Sequence, residues 1–242
     1  HLIKYKIDDK NKINKYYLHY YYFQENLKNE LINLLFKNKK DKIKTISIDT
    51  MSIIIETIVM EKKFNNQPKK NQFNALNSIY NHYNKYKNTK VIIYGERGTG
   101  KTYIAKLVKN LIDTNLHLDS LLYDDFDPSA IGVNIKKIAL KNAIENTPVI
   151  IVINEIDKIF HNVIYEEKQS YNSRGYHTKN KASFNNMMDS IADTNNVILI
   201  CTTEKSRLYL ENNSDYLSFF RKGRIDFFIN MTFNESVIET TI

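Results

Sequence analysis

Cysteine is nearly absent from this chain: Cys201 is the only one in 242 residues. A disulfide within the chain is thereby excluded. Its place in the apolar run VILIC reads as a buried strand thiol in a reducing, intracellular compartment. Long apolar runs are missing too. None approaches the ~20 residues that a membrane-spanning helix needs, and no signal peptide is visible. His161 and His177 have no partner at metal-ligand spacing, so no zinc site is expected. Acid is outnumbered, leaving a formal net charge of +8. A basic balance is compatible with a nucleic-acid partner. The lysines, however, are spread through Asn-rich stretches such as KYKNTK and FKNKKDKIK, which read as solvated surface. Glycine is scarce, with six in all, yet Gly95, Gly98 and Gly100 stand together.

The chain is long enough for one large domain, or for one domain plus a short extra segment, and apolar residues make up 42% of it, enough to build a core. Residues 1–44 are expected to form a mostly helical N-terminal segment, with apolar residues at helical spacing from Leu27 to Phe36. KTISIDT alternates and reads as a short strand. MSIIIETIVMEKKF, residues 51–64, reads as a helix with a wide apolar face, and FNALNSIYNHYNKYKN as another. From Lys90 onward, short apolar runs alternate with helical stretches: KVIIYG, KTYIAKLVKNLI, LHLDSLLY, NIKKIALKNAIEN, VIIVIN, SFNNMMDSIAD, NVILICT and IDFFINM. Unbroken Val/Ile runs indicate strands covered on both faces, and the alternation indicates a parallel sheet. The expected fold is α/β, a doubly wound, five-stranded parallel sheet flanked by helices, over residues 45–242. Ligands of such sheets bind at the carboxyl ends of the strands.

The glycines explain what that end is for. GERGTGKT, Gly95 to Thr102, fits G-x-x-x-x-G-K-[ST] and stands between a strand and a helix, as a phosphate-binding loop must. Terminal phosphates lie against a row of backbone N–H groups. Side chains at Gly98 and Gly100 would block that approach. The helix that starts near Lys101 points its N-terminal dipole at the anion. Lys101 brings a mobile positive charge to the β- and γ-phosphates, and Thr102 a hydroxyl for Mg²⁺. The expected nucleotide-binding set is Gly95, Glu96, Arg97, Gly98, Thr99, Gly100, Lys101, Thr102 and Tyr103, with ATP and Mg²⁺ as cofactors.

The strand VIIVINEID ends in Asn154-Glu155. An acidic pair is normal at this place: the Asp orients Mg²⁺ through water and the Glu polarises the attacking water. Glu155 stands in the second position. Asn154 occupies the first, where its amide can still hydrogen-bond a metal-bound water but carries no charge. Weakened hydrolysis is the expected consequence.

FFRKGRIDFFI follows the NVILICTTE strand. Its Arg-x-Gly-Arg-apolar-Asp, Arg221 to Asp226, resembles the second region of homology of the AAA ATPases. NEIDKIF is similar to that family's DEID stretch, FNNMMDSI to the helix after it, and AIENTPVIIVI to its lead-in. The resemblance covers roughly Thr45 to Asn230. It implies a P-loop ATPase working in a homo- or hetero-oligomeric ring that remodels a macromolecule, protein being favoured over nucleic acid. It also implies that Arg221 and Arg224 act in trans on a neighbour's γ-phosphate. A guanidinium suits that charge.

Three departures accompany the likeness. Glu204 stands where the family carries a polar sensor, with Thr203 beside it as a substitute candidate. Ala130 of SAIG occupies the aromatic position of a substrate-threading loop. The family's helical lid is expected beyond the last strand, outside this chain. Two other readings therefore stand beside the ATPase. An ATP-binding scaffold subunit with little hydrolysis is favoured by Asn154 and Glu204. A nucleic-acid-handling ATPase is favoured by the basic charge. HNVIYEEKQSYNSRGYHTKNKAS, residues 161–183, reads as a polar surface insertion.

Overall fold

The computed structural model describes residues 13–19, 42–49, 52–59, 68–128, 147–165, 178 and 180–240. The expected helices at 27–36 and 134–146, the SAIG loop with Ala130, and most of the 161–183 insertion lie outside these residues. The chain divides into two compact units, His1–Asn66 and Gln67–Ile242. That division falls later than residue 44.

The first unit holds β1 (Ile13–His19), β2 (Lys42–Asp49) and β3 (Ser52–Val59). β3 pairs antiparallel with both others, and the β2–β3 register sets Asp49 against Ser52. Two expectations are corrected here. Ile13–His19 is a strand within the segment read as mostly helical. The stretch read as a helix over 51–64 is a strand over Ser52–Val59. SIIIETIV is dominated by β-branched residues, which lose rotamer freedom in a helix and suit a pleated surface. A two-residue separation from β2 completes the hairpin.

The second unit begins with α1 (Lys70–Tyr86), followed by β4 (Asn88–Tyr94), α2 (Tyr103–Asn115), β5 (Leu121–Tyr123) and β6 (Val149–Ile153). Then come α3 (Ile156–Tyr165), α4 (Lys181–Ala192), β7 (Val197–Thr203) and α5 (Arg207–Asn212). A single 3₁₀ turn (Leu217–Phe219) leads to β8 (Phe227–Met231) and β9 (Ser236–Thr240). Five strands run parallel in the order β5-β6-β7-β4-β8. β4, β6 and β7 are buried along their whole lengths. Unbroken Val and Ile runs are what strands covered on both faces require.

β9 extends the expected five-stranded sheet by one, pairing antiparallel with β8. Its turn closes through Thr232, whose N–H donates to the Glu235 carbonyl at 2.9 Å and whose hydroxyl accepts from the Asn234 and Glu235 N–H groups. The LHLDSLLY strand is shorter than its apolar residues suggest. Ser120 is held off the sheet by Asp113, which accepts from its N–H at 2.8 Å and from its hydroxyl at 2.5 Å.

Candidate functional site

The loop from Gly95 to Thr102 leaves the carboxyl end of β4 and enters α2. Gly95, Gly98 and Gly100 all have positive φ, at 140°, 83° and 92°. The glycines answer to different neighbours. A Cβ on Gly95 would sit 2.0 Å from the Met231 carbonyl oxygen, so this glycine lets the loop lie against β8. A Cβ on Gly100 would sit 2.5 Å from Gln72 Nε2. At Gly98 only a Phe233 ring carbon comes within 4.0 Å, so the need there is the left-handed backbone.

The first turn of α1 braces the loop from outside. Asn71 Nδ2 donates to the Thr99 carbonyl at 3.2 Å and to the Thr232 carbonyl at 2.8 Å. Thr99 is buried and its hydroxyl donates to the Glu96 carbonyl at 2.9 Å. Glu96, Arg97 and Gly98 are exposed, and Tyr103 is half-buried as α2 begins. Lys101 Nζ donates to the carbonyls of Gly95 at 2.7 Å and Glu96 at 2.8 Å. Burial lowers the Lys101 pKa below the ordinary lysine value, while the carboxylate of Glu204 pulls it back up. Glu204 thus acts electrostatically on the loop, from the end of β7.

Asn154 stands just beyond β6 and links three neighbouring segments. Its Oδ1 accepts from the hydroxyls of Thr102 at 3.1 Å and Thr202 at 3.0 Å. Its Nδ2 donates to Asp125 Oδ1 at 3.1 Å. A carboxylate only accepts, so the amide nitrogen must face Asp125 and the oxygen the two hydroxyls. Glu155, next in the chain, is exposed and has φ 49°, the left-handed region. Its carboxylate pairs with Lys158 of α3 at 2.7 Å. Thr203 is tied to α3: its buried hydroxyl donates to Asp157 at 2.5 Å and accepts from the Lys205 N–H.

The two arginines are placed differently. The Arg224 side chain is 5% exposed, and Nε and Nη2 donate to the two carboxylate oxygens of Asp189 at 2.6 and 2.7 Å. Nη1 donates to Asn185 Oδ1 and to the Ser218 carbonyl. The hydrogen bonds from Arg224 hold the Asp189 carboxyl below the usual carboxylate value. Arg221 is 61% exposed and touches Asp189 only at 3.5 Å. An aromatic cluster packs just ahead of them: Phe160 of α3 stacks on Phe219 at 4.3 Å and meets Phe184 of α4 edge-on at 5.4 Å, centroid to centroid. Asp226, the last residue of the Arg-x-Gly-Arg-x-Asp pattern, pins β8 to β4. It accepts from the Lys90 N–H at 2.7 Å and pairs with Lys90 Nζ at 3.3 Å.

The loop, the Asn154–Glu155 strand end and the arginine turn lie in the order that a P-loop ATPase requires. The model of the ATPase family associated with various cellular activities (AAA) matches residues 91–232, more than half of the chain. The chain belongs to the AAA family.

Two curated relatives match this AAA domain. An ATP-dependent zinc metalloprotease FtsH of Corynebacterium glutamicum is 30% identical over 143 residues, 56% of this chain and 15% of the relative. A putative cell division cycle ATPase of Plasmodium falciparum is 30% identical over 117 residues, 48% of this chain and 9% of the relative. The chain thus spans a small part of either relative's length. Among solved structures, the ORC2 protein of Aeropyrum pernix superimposes with a TM-score of 0.41 and 11% identity, over 69% of this chain and 50% of that one.

Sequence reasoning named Thr102, Asn154, Glu155 and Lys101, and the AAA domain brings Thr102 and Asn154 into contact. It missed Thr202, Asp125 and Asp189. Mg²⁺ prefers oxygen donors and takes one or two carboxylates beside the substrate phosphates. The Thr102 hydroxyl and the Asp125 carboxylate are oxygen donors of this kind, bridged by the Asn154 amide, so the residues fit that ion. Among the described residues, no cluster of three His, Cys, Asp or Glu could hold a metal without a nucleotide, and no helix is long and apolar enough to cross a membrane.

Proposed function

We propose that this AAA domain binds MgATP in the Gly95–Thr102 loop, hydrolyses it, and does so within an oligomeric ring that remodels a macromolecule. One observation carries the reading: the Thr102 hydroxyl lies 3.1 Å from the strand-end residue immediately before Glu155. The loop and the end of β6 therefore meet at the carboxyl edge of one sheet, with Glu155 the next residue in the chain.

In this reading the glycine backbone amides and Lys101 bind the β- and γ-phosphates. Thr102 and Asp125 would hold Mg²⁺, with the Asn154 amide fixing both side chains, and the ion would supply charge neutralisation at the transferring phosphoryl group. Glu155 orients the attacking water and accepts its proton. Its left-handed backbone suits a site where geometry outranks local strain. Hydrolysis needs positioning and charge stabilisation and no covalent intermediate on the protein.

Arg221 is the exposed guanidinium that reaches the γ-phosphate of a neighbouring subunit. Arg224 anchors the turn that presents it. Mixing subunits tests this. Lys101→Ala and Arg221→Ala proteins are each expected to release little phosphate alone. Mixed, they regain activity, because a Lys101→Ala subunit lends its Arg221 to a neighbour with an intact loop. No recovery on mixing would contradict action in trans.

Asn154 keeps the scaffold reading open for test. Saturable ATP binding without turnover, unchanged in Asn154→Asp, would favour an ATP-binding scaffold.

A further inference from the structure

We infer that Asp125 supplies the negative charge for Mg²⁺ that Asn154 lacks. This rests on the MgATP reading above and deepens it. The Asn154 amide is saturated: Oδ1 accepts from two hydroxyls, Thr102 at 3.1 Å and Thr202 at 3.0 Å, and Nδ2 donates to Asp125. A carbonyl oxygen has two lone pairs, so both are engaged. Anionic oxygen at this strand end comes from the residue on the far side of the amide.

Asp125 is held there by its neighbours. Phe126 is buried and its N–H donates to the Val152 carbonyl of β6 at 2.7 Å. Tyr123 pairs with Ile151 in the same sheet. On the other side, Asp124 pairs with Lys106 of α2 at 3.5 Å. Asp125 is thus fixed between β6 and the helix that follows the phosphate loop. It takes up a left-handed backbone, φ 59°, that a non-glycine residue seldom adopts.

The pairing also explains why an amide serves at position 154. Two carboxylates at a 3.1 Å hydrogen-bonding separation could not both stay ionised without a cation between them. With Asn at 154, a single full charge remains and the amide fixes its place. The charge expected at the end of β6 has moved one hydrogen bond sideways, to the end of β5.

The test is a Mg²⁺ titration of fluorescent ATP-analogue binding by the protein, with binding in EDTA as the reference. Asp125→Asn is expected to raise the Mg²⁺ concentration for half-maximal enhancement about tenfold, each variant being referred to its own binding in EDTA. The exchanged pair, Asp125→Asn with Asn154→Asp, is expected to bring it back to within about threefold of wild type. Because Asp125 is exposed, thermal melts of the variants should match wild type, and Asp125→Ser gives a second variant with the same expected shift. If Asp125→Asn and Asp125→Ser both titrate within twofold of wild type, the inference is overturned while the MgATP reading stands. If the exchanged pair is no better than Asp125→Asn, the inference is overturned too. Absence of any saturable analogue binding by the wild-type protein overturns both.

Discussion

Replacing Arg224 by alanine should unfold the protein far more readily than replacing Arg221, although the two arginines are three residues apart. The Arg224 guanidinium makes four hydrogen bonds, two of them to the Asp189 carboxylate. Hydrogen bonds to charged groups contribute ~1.5–3 kcal/mol each, and removing one partner of a buried ion pair costs ~3–5 kcal/mol. The Asp189 side chain is 42% exposed, so water takes over part of the lost contact. We expect a net loss of about 2–4 kcal/mol, and for a domain of this size a drop in Tm of roughly 5–15 °C. Arg221 is 61% exposed with one contact at 3.5 Å, so Arg221→Ala should cost under ~0.5 kcal/mol. Urea unfolding followed by circular dichroism measures both. Equal destabilisation by the two substitutions, or an Arg224→Ala loss below ~0.5 kcal/mol, would refute the division between anchor and reaching arginine.

The lowered pKa of Asp189 gives a pH test of the same contact. A depressed carboxyl adds stability that is complete above the ordinary value of about 4 and is lost as pH falls through the lowered value. The Tm gap between wild type and Asp189→Asn should be widest above pH 5 and close toward pH 3. Gly95→Ala should lose both nucleotide affinity and at least ~2 kcal/mol of stability. Its φ is 140° and its Cβ would meet the Met231 carbonyl oxygen at 2.0 Å, in a backbone region that strains any side chain by ~1–3 kcal/mol. Gly98→Ala meets no backbone there, so nucleotide titration should show the larger defect and urea unfolding the smaller one. Asn154→Asp should keep or raise phosphate release; loss of turnover with intact ATP binding would contradict the role given to position 154.

Much of this fold is written in unbroken runs. VIIVI and VILIC have no polar face to turn to water, so they read as central strands, and they pair in parallel at the middle of the sheet. SIIIETIV was ambiguous because Ile residues at 53, 54, 55 and 58 satisfy a helical face as well as a strand. Pairing with β2 and β1 decided it. The phosphate loop was legible because a backbone cradle demands glycine at fixed spacing. Asp125 and Asp189 were not. Asp125 sits in a polar Asp-Asp-Phe-Asp stretch that looks like any turn, and only the β5–β6 register brings it to Asn154. Asp189 lies 35 residues from Arg224, a separation that no local pattern records. Arg224 looked like a twin of Arg221 because burial depends on that distant partner.

Equilibrium titration of the protein with labelled ATP and Mg²⁺, beside Lys101→Ala, tests the central claim most directly. The account predicts saturable binding that Lys101→Ala weakens by at least about tenfold, since Lys101 is the mobile charge placed on the loop. Equal binding by both proteins, or none by either, would contradict it.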